Sequence, residues 1–193
     1  EKIFDDDLSV YEKRILLDSI NPTERIFDER IRIPLTFVGC GLPPNFKIHQ
    51  QVRSVDIFPT LFDIANIPLP ENIDGRSLND LINGKPIEEL PAYIESAPNW
   101  ITSASDSVMG LRTSQYKYFR SRENSIENTH LYNLIDDPLE ENNIAKSQKI
   151  LVSKMEDILM SLRKNIPLHR EQEKLDPDET KKIEDELKKL GYL

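Results

Sequence analysis

The side chains in this sequence best suited to nucleophilic, acid–base or metal chemistry are three histidines, one cysteine and a short acidic run. His49, His130 and His169 lie far apart, none has a partner four residues away, and none sits in an HExxH setting. Each is therefore expected at the surface or in a hydrogen bond rather than on a metal. Asp5-Asp6-Asp7 could gather a divalent cation, but an acidic run of this kind reads as a solvated tail, and Asp136-Asp137-Pro138 reads as a turn. Cys40 has no second cysteine for a disulfide and belongs to no CxxC or Cys/His cluster, so nothing points to an oxidising compartment or a zinc site. GxGxxG, GxxxxGK[ST] and GxSxG are all absent, which removes the nucleotide-binding and nucleophile-elbow readings. From the residues alone, no catalytic constellation emerges and no metal ligands are assigned.

Composition sets the frame for whatever must position such residues. A chain of 193 residues with 38% hydrophobic and 31% charged side chains and only 6 glycines has enough apolar content for a packed core. No apolar run approaches the roughly 18 residues of a bilayer crossing, so no membrane partner is expected. Lys plus Arg number 25 against 34 for Asp plus Glu, and the net charge of −9 works against nucleic acid or anionic lipid as partners. The sequence opens at Glu1 rather than Met, and is read as a piece of a longer protein.

The pattern along the chain divides it at about residues 25 and 90. Residues 1–25 are acidic, then mixed, with an apolar cluster at Ile15, Leu16 and Leu17 that has no clear amphipathic period. From Arg30 to Val38 the run RIRIPLTFV, ended by Gly39-Cys40-Gly41, predicts a strand buried on both faces, with Pro34 confined to its first residues. Val55, Phe58, Phe62 and Ala65 predict a helix over 54–66, with Asp56 as N-cap and Pro59 in the first turn. Asp74-Gly75 marks a turn, and Ser77 caps a short helix through Leu78, Leu81 and Ile82 that stops at Asn83-Gly84. Residues 91–193 change character: 92–95, 108–112, 115–119 and 130–134 are short β-rich runs between polar connectors, an antiparallel meander. Leu151, Met155, Ile158 and Leu162 then form the apolar stripe of a helix expected to pack on that meander. A last helix is predicted over 177–190, opened by Asp176-Pro177 and closed by Gly191.

An ordered series of segments resembles the carboxy-terminal part of sulfatases, in the alkaline-phosphatase-like superfamily. Ile26-Phe27-Asp28-Glu29-Arg30-Ile31-Arg32-Ile33-Pro34-Leu35 is similar to the family's tyrosine-glutamate segment leading into an R-V-P-L core strand. Val55-Asp56-Ile57-Phe58-Pro59-Thr60-Leu61 resembles its D-x-x-P-T-L helix, and Asp74-Gly75-Arg76-Ser77-Leu78 its D-G-x-S-L turn. Gly110-Leu111-Arg112-Thr113 and Tyr116-Lys117-Tyr118 follow. Most specific of all is Leu131-Tyr132-Asn133-Leu134-Ile135-Asp136-Asp137-Pro138-Leu139-Glu140-Glu141-Asn142-Asn143, close to L-Y-D-L-x-x-D-P-x-E-x-x-N. The ending Leu190-Gly191-Tyr192 completes the series.

The resemblance implies an α+β fold: an α/β fragment of the large sulfatase domain over 26–90, then a small antiparallel sheet packed with a C-terminal helix over 91–193. It also implies a sulfuric ester hydrolase as the whole protein, acting on a sulfate-ester small molecule or glycan. A calcium-like divalent cation and a formylglycine made within C/S-x-P-x-R are implied for the family, and both are expected upstream of these residues. Cys40-Gly41-Leu42-Pro43 and Ser96-Ala97-Pro98-Asn99-Trp100 each depart from that maturation motif. A family lysine or histidine that contacts sulfate would fall at Thr23 or Pro22, so Arg25 is the candidate catalytic substitute. The loop from Ser96 to Ser107, with Glu95 before it and Trp100 within it, is the candidate substrate-facing segment. Every resembling motif can also be scaffold, with Asp136, Asp137 and Asn143 capping backbone N–H groups. The expectation is therefore a structural, inactive piece of a hydrolase. The alternatives are a non-catalytic interaction or homo-oligomerisation module and part of a phosphate- or phosphonate-ester hydrolase.

Overall fold

A computed structural model describes residues 7–17, 26–96, 107–164 and Lys188. The chain divides into two compact units, Glu1–Leu159 and Met160–Leu193. The elements in chain order are α1 (Val10–Leu17), α2 (Asp28–Ile31), a 3-10 turn at Ser54–Asp56 running into α3 (Ile57–Ile64), α4 (Asn79–Ile82), four strands and α5 (Lys149–Lys164). Together they make an α+β fold. Among the described residues no helix is long and apolar enough to cross a membrane.

The strands β1 (Ala92–Ser96), β2 (Val108–Arg112), β3 (Tyr116–Ser121) and β4 (His130–Asn133) pair antiparallel in the order β1-β2-β3-β4, the expected meander. Register decides which side each residue serves, because opposite partners share a face. Ile94, Gly110, Phe119 and His130 stand in one row, so Val108, Arg112, Lys117 and Tyr132 point the same way. Ile26 and Phe27 cover this face and join Val108, Phe119, Tyr132 and Leu134 in one buried cluster, where the Phe27 and Phe119 rings meet edge to face at 5.4 Å. Met109, Leu111, Tyr118, Arg120 and Leu131 point to the other side. There α5 packs: Glu156 accepts hydrogen bonds from the Tyr118 hydroxyl at 2.8 Å and from Arg120 Nη2 at 2.7 Å. A sheet covered on both sides leaves β2 and β3 buried on both sides, which is why polar Lys117 and Arg120 are buried as well.

His130 stacks on Phe119, with ring centroids 4.5 Å apart, and its Nδ1 lies 2.9 Å from the Tyr132 hydroxyl. Burial pushes its pKa down to about 4. An unfolded histidine takes its proton near 6.5. Between those values the unfolded chain binds the extra proton, so stability falls as pH drops through that window, by up to about 2–3 kcal/mol. Urea midpoints at pH 7 and pH 4.5 are expected to lie much closer together in His130→Gln than in the native chain, and equal gaps in the two proteins would refute the assignment.

Three expectations need correction. Residues 32–38 form no strand: after the short α2 the chain has no regular secondary structure as far as Val38, with Ile33 68% and Val38 88% exposed. A strand buried on both faces exists only between partners, and no described segment pairs with it. The helix predicted over 54–66 is present as the 3-10 turn and α3, but its burial is inverted. Pro59 and Thr60 are buried, whereas Val55, Phe58 and Leu61 are exposed. Asp56 precedes α3 without capping it. Its carboxylate instead accepts from the Arg53 amide at 3.0 Å, the Arg53 guanidinium at 2.7 Å and the Arg76 amide at 3.1 Å, tying the turn before α3 to the Gly75 turn. The stripe of α5 is as predicted for Met155 and adds Leu159, which is buried. The helix predicted over 177–190 lies outside the described residues, apart from Lys188.

Candidate functional site

Each of four polar motifs contributes a charged side chain, and the fold gathers them. Asp28 opens α2, Arg112 ends β2, Lys117 lies within β3 and Glu140 follows the Asp137-Pro138 turn. Lys117 Nζ sits 2.6 Å from Asp28 Oδ1 and 2.7 Å from Glu140 Oε1, with the Lys117 and Glu140 side chains both 0% exposed. At these distances between opposite charges, hydrogen bonding and charge attraction act together on both carboxylates. Arg112 grips Asp28 with two donors, Nε at 2.9 Å and Nη2 at 2.6 Å, and turns Nη1 to Gln51 Oε1 at 2.5 Å. Glu140 Oε2 accepts the Asp28 amide at 2.8 Å. Arg14 of α1 adds a second layer: Nε meets Glu29 Oε1 at 2.7 Å while Nη1 and Nη2 donate to the Glu140 and Leu139 carbonyls.

Three cations face three carboxylates, so the network is balanced, and the titration behaviour follows from position within it. Burial pushes Asp28 up, but the Arg112 hydrogen bonds and the Lys117 charge outweigh it and hold Asp28 at about 2. For Glu140 burial prevails over Lys117 and raises the carboxyl above its ordinary range. Burial would lower Arg112, and Asp28 more than reverses this. A set of charges that neutralise one another inside the protein acts as a clamp rather than as a group poised to polarise a substrate.

A cavity of about 1080 Å3 opens beside the clamp, lined by residues of the 32–52 segment together with Asp28, Arg112, Ser114 and Leu134. Arg32, Lys47 and His49 also line it, while the Arg112 guanidinium is committed to Asp28 and Gln51. No group of three His, Cys, Asp or Glu among the described residues is placed to hold a metal ion. Asp28, Glu29 and Glu140 are opposed by Arg112, Arg14 and Lys117, so these residues do not fit the divalent cation implied by the sequence resemblance.

Of the residues singled out from sequence, Glu95 lies on β1, exposed, 3.8 Å from Arg122 Nη1 and accepting the Tyr93 hydroxyl at 2.8 Å. That is a surface pair. Arg25 and Trp100 lie outside the described residues, as do most of the 96–107 loop, Asp5, Asp6 and His169. The capping role expected of Asp137 and Asn143 is present: Asp137 accepts the Glu141 and Asn142 amides at 3.0 and 2.8 Å, and Asn143 Oδ1 accepts those of Leu131 and Ala145 at 3.0 Å each. Asp136 differs, receiving the Asn133 side-chain amide at 2.5 Å because the turn aims it back at β4. The clamp itself was not anticipated. Its sequence signal was a charged residue beside apolar ones in each of the Phe27-Asp28, Gly110-Leu111-Arg112, Tyr116-Lys117-Tyr118 and Pro138-Leu139-Glu140 motifs.

Comparison with known proteins gives the same grouping of motifs a family. The chain is 35% identical to mouse arylsulfatase K over 126 residues, which is 62% of this chain and 23% of that protein. Against bovine arylsulfatase K it is 31% identical over 143 residues, 71% of this chain and 26% of the relative. A crystal structure of a Bacteroides fragilis sulfatase aligns with 57% of this chain and 24% of its own, at 27% identity and a TM-score of 0.48. The chain thus spans about a quarter of the length of the relatives it matches. The model of the N-sulphoglucosamine sulphohydrolase C-terminal family matches residues 23–172, which include every member of the clamp except Arg14. With that match across α2, the sheet and α5, the chain belongs to the N-sulphoglucosamine sulphohydrolase C-terminal family, and is a C-terminal sulfatase portion.

Proposed function

We propose that this chain is the structural frame of a metal-dependent sulfatase acting on sulfate esters of a sugar or aryl alcohol, and that it has no turnover of its own. The observation that carries this reading is the clamp: the charged residues of the family's motifs are spent on one another, holding α2 and the Glu140 turn to the sheet. The sulfur chemistry then belongs to residues elsewhere in the enzyme, where the cation and the formylglycine would lie. Arg25, Glu95 and Trp100 remain proposals for contact with substrate. Residues 26–90 are proposed to complete the large α/β domain of that enzyme. In support, Ile33, Leu35, Val38, Phe58 and Leu61 are apolar and exposed, although their sequence is that of core elements.

An aryl sulfate offered with calcium or magnesium is expected to be turned over no faster by this chain than by a boiled control. Turnover above that control would locate the reactive groups within these residues and end the proposal. A phosphonate ester offered in parallel is expected to give the same result, and its turnover would equally end the proposal.

A further inference from the structure

We propose that helix α1 is a strap pinned by charge, which docks on the Glu140 turn and can lift away without the sheet coming apart. The helix is inside out. Its one fully buried residue is Arg14, whereas Val10, Ile15 and Leu16 are exposed and Tyr11 and Leu17 only half-buried, so apolar burial is the smaller part of its docking. Eight residues are too few to hold a helix in water unaided, and polar grips do the holding. Arg14 donates to the Glu140 carbonyl at 3.0 Å, the Leu139 carbonyl at 2.7 Å and Glu29 at 2.7 Å, and its guanidinium lies 3.9 Å from the centre of the Phe27 ring. At the other end of the helix the Tyr11 amide donates to Glu141 Oε1 at 3.0 Å.

Three of these grips converge on residues 139–141, and Glu140 at their centre has φ +55°, a left-handed conformation that a glutamate adopts only when its surroundings impose it. Those surroundings are the strap and the clamp together. Arg14 takes the Glu140 carbonyl, the Asp137 carbonyl takes its amide, and the carboxylate accepts the Asp28 amide beside Lys117. Docked α1 therefore helps to keep the Glu140 carboxylate aimed into the clamp, and lifting α1 uncovers the face of Phe27 and removes one of the constraints on Glu140. This device is independent of the sulfatase reading, since it concerns only contacts within the chain.

Hydrogen exchange read by mass spectrometry on the whole chain tests it. In Arg14→Gln the amides of 10–17 are expected to exchange about tenfold faster or more, while those of 108–112 and 116–121 keep their protection. Arg14→Lys, which keeps the charge but loses the planar fork, is expected to fall between. The pair Ile15→Gln and Leu16→Gln, which removes the exposed apolar surface while keeping good helix formers, is expected to leave the protection unchanged. Unchanged protection of 10–17 in Arg14→Gln overturns the proposal. So does a loss that spreads into β2 and β3, which would make α1 part of the core, and so does loosening by the glutamine pair, which would make its docking apolar.

Discussion

Replacing Lys117 by methionine is expected to destabilise the fold by about 3–5 kcal/mol at pH 7, because it strips the Glu140 carboxylate of its contacting cation in a fully buried position. Asp28 suffers less, since both Arg112 donors remain on it. The pH dependence gives the mechanism its signature. Glu140 is already raised by burial, and losing Lys117 raises it further. The folded variant then binds a proton at a pH where the unfolded chain, near 4.3, does not, so its stability recovers as pH falls from 7 towards 5. Adding Glu140→Gln removes the stranded charge and is expected to restore a good part of the loss, a coupling that a double-mutant cycle in urea measures directly. A single-mutant deficit under about 1 kcal/mol, or one that grows on acidification, would show that the clamp is not held by this charge pair.

Gly110→Ala is expected to be comparably damaging, at about 3 kcal/mol or more, for a steric reason. Gly110 stands between Ile94 and Phe119 in the sheet row, and a Cβ there would lie 2.6 Å from Phe119 Cβ and 2.7 Å from its Cα, closer still to the Tyr118 carbonyl. Those obstacles belong to the β3 backbone and the root of a buried ring, so relief requires β2 and β3 to part. Gly39→Ala is the natural control. Its site is open space, and only its φ of +95° opposes the change, at about 1 kcal/mol. Thermal or urea unfolding compares the two, and equal losses would contradict the close approach at Gly110.

The legible parts of this fold were those whose pattern and whose burial have the same local cause. The four strands were visible as short β-rich runs because each pairs with its neighbour in the sequence, leaving little for long-range context to change. Residues 30–38 had an equally strong pattern and formed no strand, since a two-sided strand takes its hydrogen bonds from partners that its own sequence does not specify. In α3 the helical period was correct and the buried side was not. Period belongs to the helix, while burial belongs to whatever packs against it, here the turn at Ser77-Leu78, whose amide reaches Thr60 Oγ1 at 3.0 Å.

The sequence alone determined the meander, the helix that covers it, the turns that join them and, through the order of its motifs, the sulfatase family. These rest on local periodicity, turn chemistry and residue order, all of which are written along the chain. Tertiary structure alone decided that Asp28, Arg112, Lys117 and Glu140 meet, that Arg14 rather than Ile15 faces inward, and that Glu140 adopts a left-handed backbone. A charged residue in a sequence reads as solvated until the fold removes the water from around it. Only three-dimensional proximity, across 84 residues between Asp28 and Arg112, supplies the opposing charge that makes its burial tolerable.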